Sequence, residues 1–249
     1  LGYAYYYGPD VVRDYHSPLF EEQLMAGLED VNLDMPEEAI LEAVHKLKNI
    51  ETGSLIKRNE LFMDYLQKGV EVSYYNGKEQ RSSLVNLIDY ENLKNNTFSV
   101  VNQWTFAENS VKRPDVVIFV NGLPLVVVEL KSPSREETDA SEAYRQLRNY
   151  MQEIPSLFVY NAFCIISDQA LSKFGTITSN EDRFMEWKTT EGTFESRQLA
   201  SFDVLFEGTL EKHRLLDILR SFICFSNGKD STEKAKILAG YHQYFAVKK

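Results

Sequence analysis

Residues 113–131 constrain this chain more than any other stretch. Two apolar, β-branched runs, 116–120 and 123–128, flank Asn121-Gly122. An Asn-Gly pair between such runs favours a tight hairpin, because both residues accept positive φ at little cost. Asp115 opens the first run, and Glu129 and Lys131 close the second. Strand side chains alternate between faces, so Glu129 and Lys131 share one. An ionised carboxylate inside so apolar a strand costs several kcal/mol unless it is paired or holds a metal.

The register of this hairpin carries an expectation. A plain two-residue loop pairs Val120 with Leu123, which sets Asp115 opposite Val128 and turns it away from Glu129. One bulge, or a three-residue loop, sets Asp115 opposite Glu129. A single cation needs both acids on one side, so the hairpin is expected to carry a bulge or a longer loop. Pro124 is consistent with an irregular turn.

Asp115 and Glu129 form the oxygen-rich donor pair that a hard cation such as Mg²⁺ takes, with the Leu130 carbonyl as a third oxygen and water as the remainder. Such a cation polarises a phosphate and lowers the pKa of an attacking water, while Lys131 orients that water or meets the developing negative charge. The pattern Asp, then Glu-x-Lys on the next strand, resembles the PD-(D/E)xK nucleases. The bland alternative is a buried ion pair, Glu129 with Lys131 or Asp115 with Arg113.

Composition bounds the rest. A length of 249 residues with 43% hydrophobic content allows one large domain, or a domain with an extension. No apolar run reaches membrane-spanning length, and no signal peptide opens the chain. Cys164 and Cys224 both sit in apolar runs and read as buried, reduced thiols, which fits a cytoplasmic protein. Four scattered histidines make zinc a poor fit. The net charge of −10 opposes tight DNA binding by this chain alone, because such binding rests on phosphate neutralisation.

Helices are expected first. Ser17-Pro18 reads as a cap and first turn for a helix over 20–28, and Pro36 opens a second, with Ile40, Leu41, Val44 and Leu47 at helical spacing. A third covers 59–68 and closes at Gly69. Strands follow at 71–75 and 84–88 around Asn76-Gly77, then at 97–106, then the 113–131 hairpin. A helix over 139–153 and a strand over 157–167 come next, then helices over 210–222 and 233–245. This order predicts an α/β fold, a mixed sheet covered by helices. Gln146 and Tyr150 lie one helical turn apart on one face, and Asp168 closes a strand. For each, an ordinary structural role competes with a place beside the cation. The 226–231 stretch lacks the glycine and lysine placement of a phosphate loop.

The hairpin resembles the nuclease core of the R (restriction) subunit of type I restriction-modification enzymes, and the likeness extends along the chain. Val100-Val-Asn-Gln-Trp104 precedes the core as in that family. Ala143-Tyr-Arg-Gln146-Leu-Arg-Asn-Tyr150 is similar to its Q-x-x-x-Y helix, shared with RecB-like nucleases. Ile154–Phe158, Ile166–Asp168, Arg183–Lys188 and Lys236–Tyr244 follow in order. The resemblance implies a restriction-endonuclease-like domain over 1–225, then a linker at 226–249 leading to an ATP-driven motor.

By matching positions the resemblance implies Asp115 and Glu129 as metal ligands, Lys131 as catalytic lysine, and Gln146 and Tyr150 as supporting residues. It implies Mg²⁺, or Mn²⁺, as cofactor, with ATP used only by the motor. The implied partners are double-stranded DNA, the methyltransferase and specificity subunits, and the subunit's own motor domains, with no membrane. The opening Leu1-Gly2-Tyr3 reads as the tail of a helix. That helix is expected to carry a further glutamate, for which Glu21 and Glu22 are poor substitutes. Lys112, Arg113, Lys131, Arg135, Arg145 and Arg148 are expected to form a small positive rim. A docking module that keeps the fold without the chemistry, and a stand-alone repair nuclease, are the competing readings.

Overall fold

The computed structural model describes residues 1–75, 77–131, 140–168, 170–192, 201–227 and 234–248. At its centre is the hairpin of β7 (Val116–Val120) and β8 (Leu123–Leu130). The chain enters through β1 (Ala4–Tyr7), α1 (Glu21–Val31), α2 (Glu37–Lys48) and α3 (Leu55–Lys68). A ribbon of β2 (Val70–Tyr75) and β3 (Gln80–Val85) follows, then β4 (Phe98–Asn102) and the short pair β5 (Phe106–Ala107) and β6 (Val111–Lys112). After the hairpin come α4 (Ala140–Glu153), α5 (Pro155–Val159), β9 (Phe163–Ser167) and β10 (Ser172–Gly175). The chain closes with α6 (Ser201–Leu210), α7 (Lys212–Ser221), a ribbon of β11 (Ile223–Asn227) and β12 (Lys234–Leu238), and α8 (Tyr241–Val247).

The main sheet has six strands in the order β1-β4-β7-β8-β9-β10. It is mixed, with β1 parallel to β4, β8 parallel to β9, and the other pairings antiparallel. Helices flank it, the architecture of a restriction-endonuclease-like fold. Residues 123–129 of β8 are all buried, because helices cover both faces of this central strand. This is why the sequence reads there as a continuous apolar run and not as an alternation. One core cluster holds Ile118, Val126 and Val128 with α1, α2 and α3, and the other holds Val117, Phe119 and Val127 under α4.

The hairpin turn is the two-residue one. Asn121 and Gly122 have φ of 49° and 73°, the combination of a type I′ turn. Asn121 is buried and fully used: Oδ1 accepts from Thr97 N at 2.8 Å, and Nδ2 donates to Leu87 O and Asn96 Oδ1, both at 2.9 Å. A Cβ on Gly122 would lie 2.4 Å from Leu24 N, so only glycine lets α1 seat on the turn.

The expected bulge is present. Val120 pairs with Leu123 and Phe119 with Pro124, but Ile118 pairs with Val126. Leu125 is the extra residue, and its carbonyl accepts instead from Ala162 N at 2.7 Å. From there Val117 pairs with Val127 and Val116 with Val128. The next step of this register sets Asp115 opposite Glu129.

Other expectations need correction. Leu1-Gly2-Tyr3 leads into an edge strand and is not a helix tail. The first helix starts at Glu21, and Ser17 donates to the Glu21 carboxylate at 3.0 Å instead of capping the backbone. The run 157–167 is not one strand: Pro155 starts the short α5, and the strand begins only at Phe163. The region expected as a helix over 233–245 divides into β12 and α8, with Glu233 outside the described residues. Cys164 is buried, whereas Cys224 is exposed on the β11–β12 ribbon, with Ile223 and Leu238 forming its inner side. Asn76, Arg135, Asp139 and most of the 226–231 stretch also lie outside the described residues. Residue 225 lies within β11, and Leu238 and Tyr244 join the main core.

Candidate active site

Four of the residues singled out from sequence converge at the open end of the β7–β8 hairpin. Asp115 directly precedes β7, Glu129 lies on β8, and Lys131 directly follows β8. The parity of β7 and β8 turns Asp115 and Glu129 to the face that carries Val117, Phe119 and Val127, the face covered by α4. Tyr150 of α4 is packed into that cluster.

The Asp115 carboxylate is held on both oxygens. Leu130 N donates to Oδ2 at 2.9 Å, and Gln103 Nε2 donates to Oδ1 at 3.2 Å. Leu130 therefore directs its backbone edge toward Asp115 and not toward β9. The carbonyl of a strand residue leaves the same edge as its N–H, so the Leu130 carbonyl faces this side as well. Lys131 N, one residue on, donates to Ser167 O of β9 at 2.8 Å.

Glu129 is only 3% exposed. Its Oε1 accepts from Lys131 Nζ at 3.0 Å, while its Oε2 is buried without a hydrogen-bond partner among the described residues. Burial first, then the charge of Asp115, pushes the Glu129 carboxyl up to about 7; Lys131 and the Tyr150 hydroxyl act in the opposite direction. Burial and the Glu129 charge hold the Tyr150 phenol well above its usual range, and Gln146 faces the same hydroxyl. Lys131 Nζ also lies 4.0 Å from Glu142 Oε1, a half-exposed carboxylate in the first turn of α4.

A buried carboxylate oxygen without a donor, next to a second carboxylate, is an arrangement that a cation relieves. The donor set is all oxygen, so it fits a hard divalent ion and not zinc. Two carboxylates alone hold such an ion loosely, and no cluster of three or more His, Cys, Asp or Glu side chains occurs among the described residues.

The other candidates separate from this site. Asp168 Oδ1 accepts from Leu171 N at 2.7 Å, so it shapes the β9–β10 turn. Glu21 pairs with Lys48 at 2.8 Å. The first turn of α1 sits on Asn121-Gly122, the end of the hairpin opposite the acids. Of the expected positive rim, Arg148 donates to Ile177 O at 2.9 Å, while Arg113 and Arg145 are exposed. Sequence reasoning assigned no role to Gln103, although it lies within the Val100–Trp104 stretch that carried part of the resemblance.

Residues 1–183 match the family described as the type I restriction enzyme R protein N terminus. The chain belongs to that family. It is 38% identical, over 99% of its own length, to the type I restriction enzyme HindI endonuclease subunit of Haemophilus influenzae, of which the match covers 24%. Over its full length it is 29% identical to the putative MjaIXP endonuclease subunit of Methanocaldococcus jannaschii, covering 26% of that protein. A second protein of that organism, the putative MjaVIIIP endonuclease subunit, is 32% identical over 93% of this chain and is covered to 22%. The chain thus spans about a quarter of the length of these relatives. No helix among the described residues is long and apolar enough to cross a membrane.

Proposed function

We propose that this chain is the nuclease module of a type I restriction enzyme endonuclease subunit, cutting double-stranded DNA with a divalent metal ion. The observation that carries the reading is the buried, unpartnered Glu129 Oε2 set across a bulged hairpin from Asp115, with Lys131 beside it. Family membership supports it, because the relatives are named as endonuclease subunits.

Asp115, Glu129 and the Leu130 carbonyl would hold Mg²⁺, or Mn²⁺ in its place. When bound, such an ion polarises the scissile phosphate and lowers the pKa of the attacking water. The remaining work belongs to the protein. The Leu130 N–H and the Gln103 amide keep the Asp115 carboxylate in one orientation. Lys131 carries a positive charge on the Glu129 side of the site and donates to the oxygen on which negative charge builds. Tyr150, packed on α4 into the cluster beneath the site, has its hydroxyl under the charge of Glu129 and faces Gln146, which places both residues in supporting roles on the α4 side.

A chain of net charge −10 is poorly suited to capture DNA by itself. DNA is therefore held by other parts of the subunit and by methyltransferase and specificity subunits, and ATP is consumed by motor domains elsewhere in the subunit. Asp115→Ala, Glu129→Ala and Lys131→Ala, each placed in the full subunit and assembled with its partners, test the proposal. Loss of cleavage with ATP hydrolysis retained is expected. Wild-type cleavage by any of the three refutes the assignment of that residue.

A further inference from the structure

We propose that Gln103 is a positioning residue that sets the Asp115 carboxylate for cation binding; this rests on the metal-dependent reading above. Three observations at different atoms point to it. The Gln103 side chain donates from Nε2 to Asp115 Oδ1 at 3.2 Å. Its backbone N donates to the Asp115 carbonyl at 2.8 Å, so one residue grips both the main chain and the side chain of Asp115. Its φ is 59°, one of only two positive values at non-glycine residues among the described residues. The other belongs to Asn121, where the type I′ turn requires it.

A left-handed conformation at a residue other than glycine costs of order 1 kcal/mol and persists only where the surroundings impose it. Here they do. Gly8 packs against this turn so closely that a Cβ on it would lie 2.4 Å from Gln103 O. The next residue, Trp104, is fully buried and donates its backbone N–H to Pro114 O at 3.2 Å. A glycine at 103 would satisfy the backbone without strain, yet a glutamine occupies it, and its amide reaches the carboxylate. Outer partners that orient a ligating carboxylate typically change metal affinity by about 10–100-fold.

The test uses Gln103→Gly and Gln103→Asn. Glycine adopts the conformation freely, and asparagine tolerates it better than most residues; neither carries an amide long enough to reach Asp115 Oδ1. Mn²⁺ binding by this chain is measured by calorimetry, with melting temperature measured on the same samples. Both variants are expected to bind Mn²⁺ about tenfold more weakly than wild type, with melting temperatures unchanged or slightly raised for glycine. Wild-type affinity in either variant overturns the inference. So does weak binding accompanied by a marked fall in melting temperature in both, which would make Gln103 a structural residue. The Asp115→Asn/Glu129→Gln double variant serves as control. If wild type binds no Mn²⁺, or binds it no better than this control, the metal reading itself fails and the positioning role fails with it.

Discussion

Replacing Glu129 by Gln should make the protein more stable at pH 8 while destroying its function. In the folded protein, burial and the Asp115 charge raise the Glu129 carboxyl from the ordinary 4.5 to about 7. The folded state thus binds this proton more tightly than the unfolded chain does. The stabilisation from that preference is complete below about 4.5, declines as pH rises, and is gone above about 7. The interval corresponds to roughly 3 kcal/mol, as an order of magnitude, at about 1.36 kcal/mol per pH unit. Glutamine keeps the acceptor for Lys131 and has no charge to desolvate, so its stability lacks this dependence. The difference between variant and wild type should be small at pH 5 and grow to at most roughly 3 kcal/mol at pH 8. For a chain of this length that is on the order of 6–12 °C in melting temperature. Thermal or urea melts at both pH values, in chelator, read it directly. Added Mg²⁺ should recover part of the loss in wild type only, because binding to the folded state stabilises it. A difference that stays flat between pH 5 and pH 8 would refute the assignment of a strained, cation-seeking carboxylate.

Other outcomes follow from the same contacts. Tyr150→Phe should lower cleavage by the assembled enzyme without lowering the melting temperature of this chain, because the hydroxyl lies under the charge of Glu129 and its hydrogen bond to Arg113 O is a long 3.5 Å; wild-type cleavage would remove Tyr150 from the site. Burial lowers the Lys236 amine to about 7, so wild type should gain stability as pH rises from about 7 toward the ordinary 10.5, and Lys236→Met should abolish that gain in melts across the range. Restoring a plain register by deleting Leu125 should misalign Asp115 and Glu129 and abolish cation binding, measured by Mn²⁺ calorimetry, and undiminished binding would contradict the role of the bulge. The isolated chain should neither bind plasmid DNA tightly at physiological salt nor cut it efficiently without ATP; salt-resistant gel shifts would show that its charge of −10 does not govern capture.

Local pattern alone determined the centre of this protein. Asn121-Gly122 between two β-branched runs encodes a type I′ turn, and the demand that two acids share one face requires the extra residue that Leu125 supplies. The turn follows from the positive φ that Asn and Gly accept, and the face each acid takes follows from strand periodicity; both are properties of neighbouring residues. The helical spacing of α2 and α3 was legible for the same reason. Tertiary structure decided what periodicity does not encode. The apolar run after Pro155 has no period that separates a buried helical turn from a buried strand, and its packing beneath α3 made the first part α5. The C-terminal pattern 233–245 divides because β12 places Lys236 in the core, where Nζ donates to Asn59 Oδ1 at 2.9 Å and Asn161 O at 2.6 Å. Those partners lie 177 and 75 residues away in sequence. Gln103 is the same case within the site: its amide meets Asp115 because a strand end, Gly8 and the β4–β7 pairing close around it, and none of these is visible in the residues beside it. Sequence specifies which face each side chain takes, and the packing of distant elements specifies what that face meets.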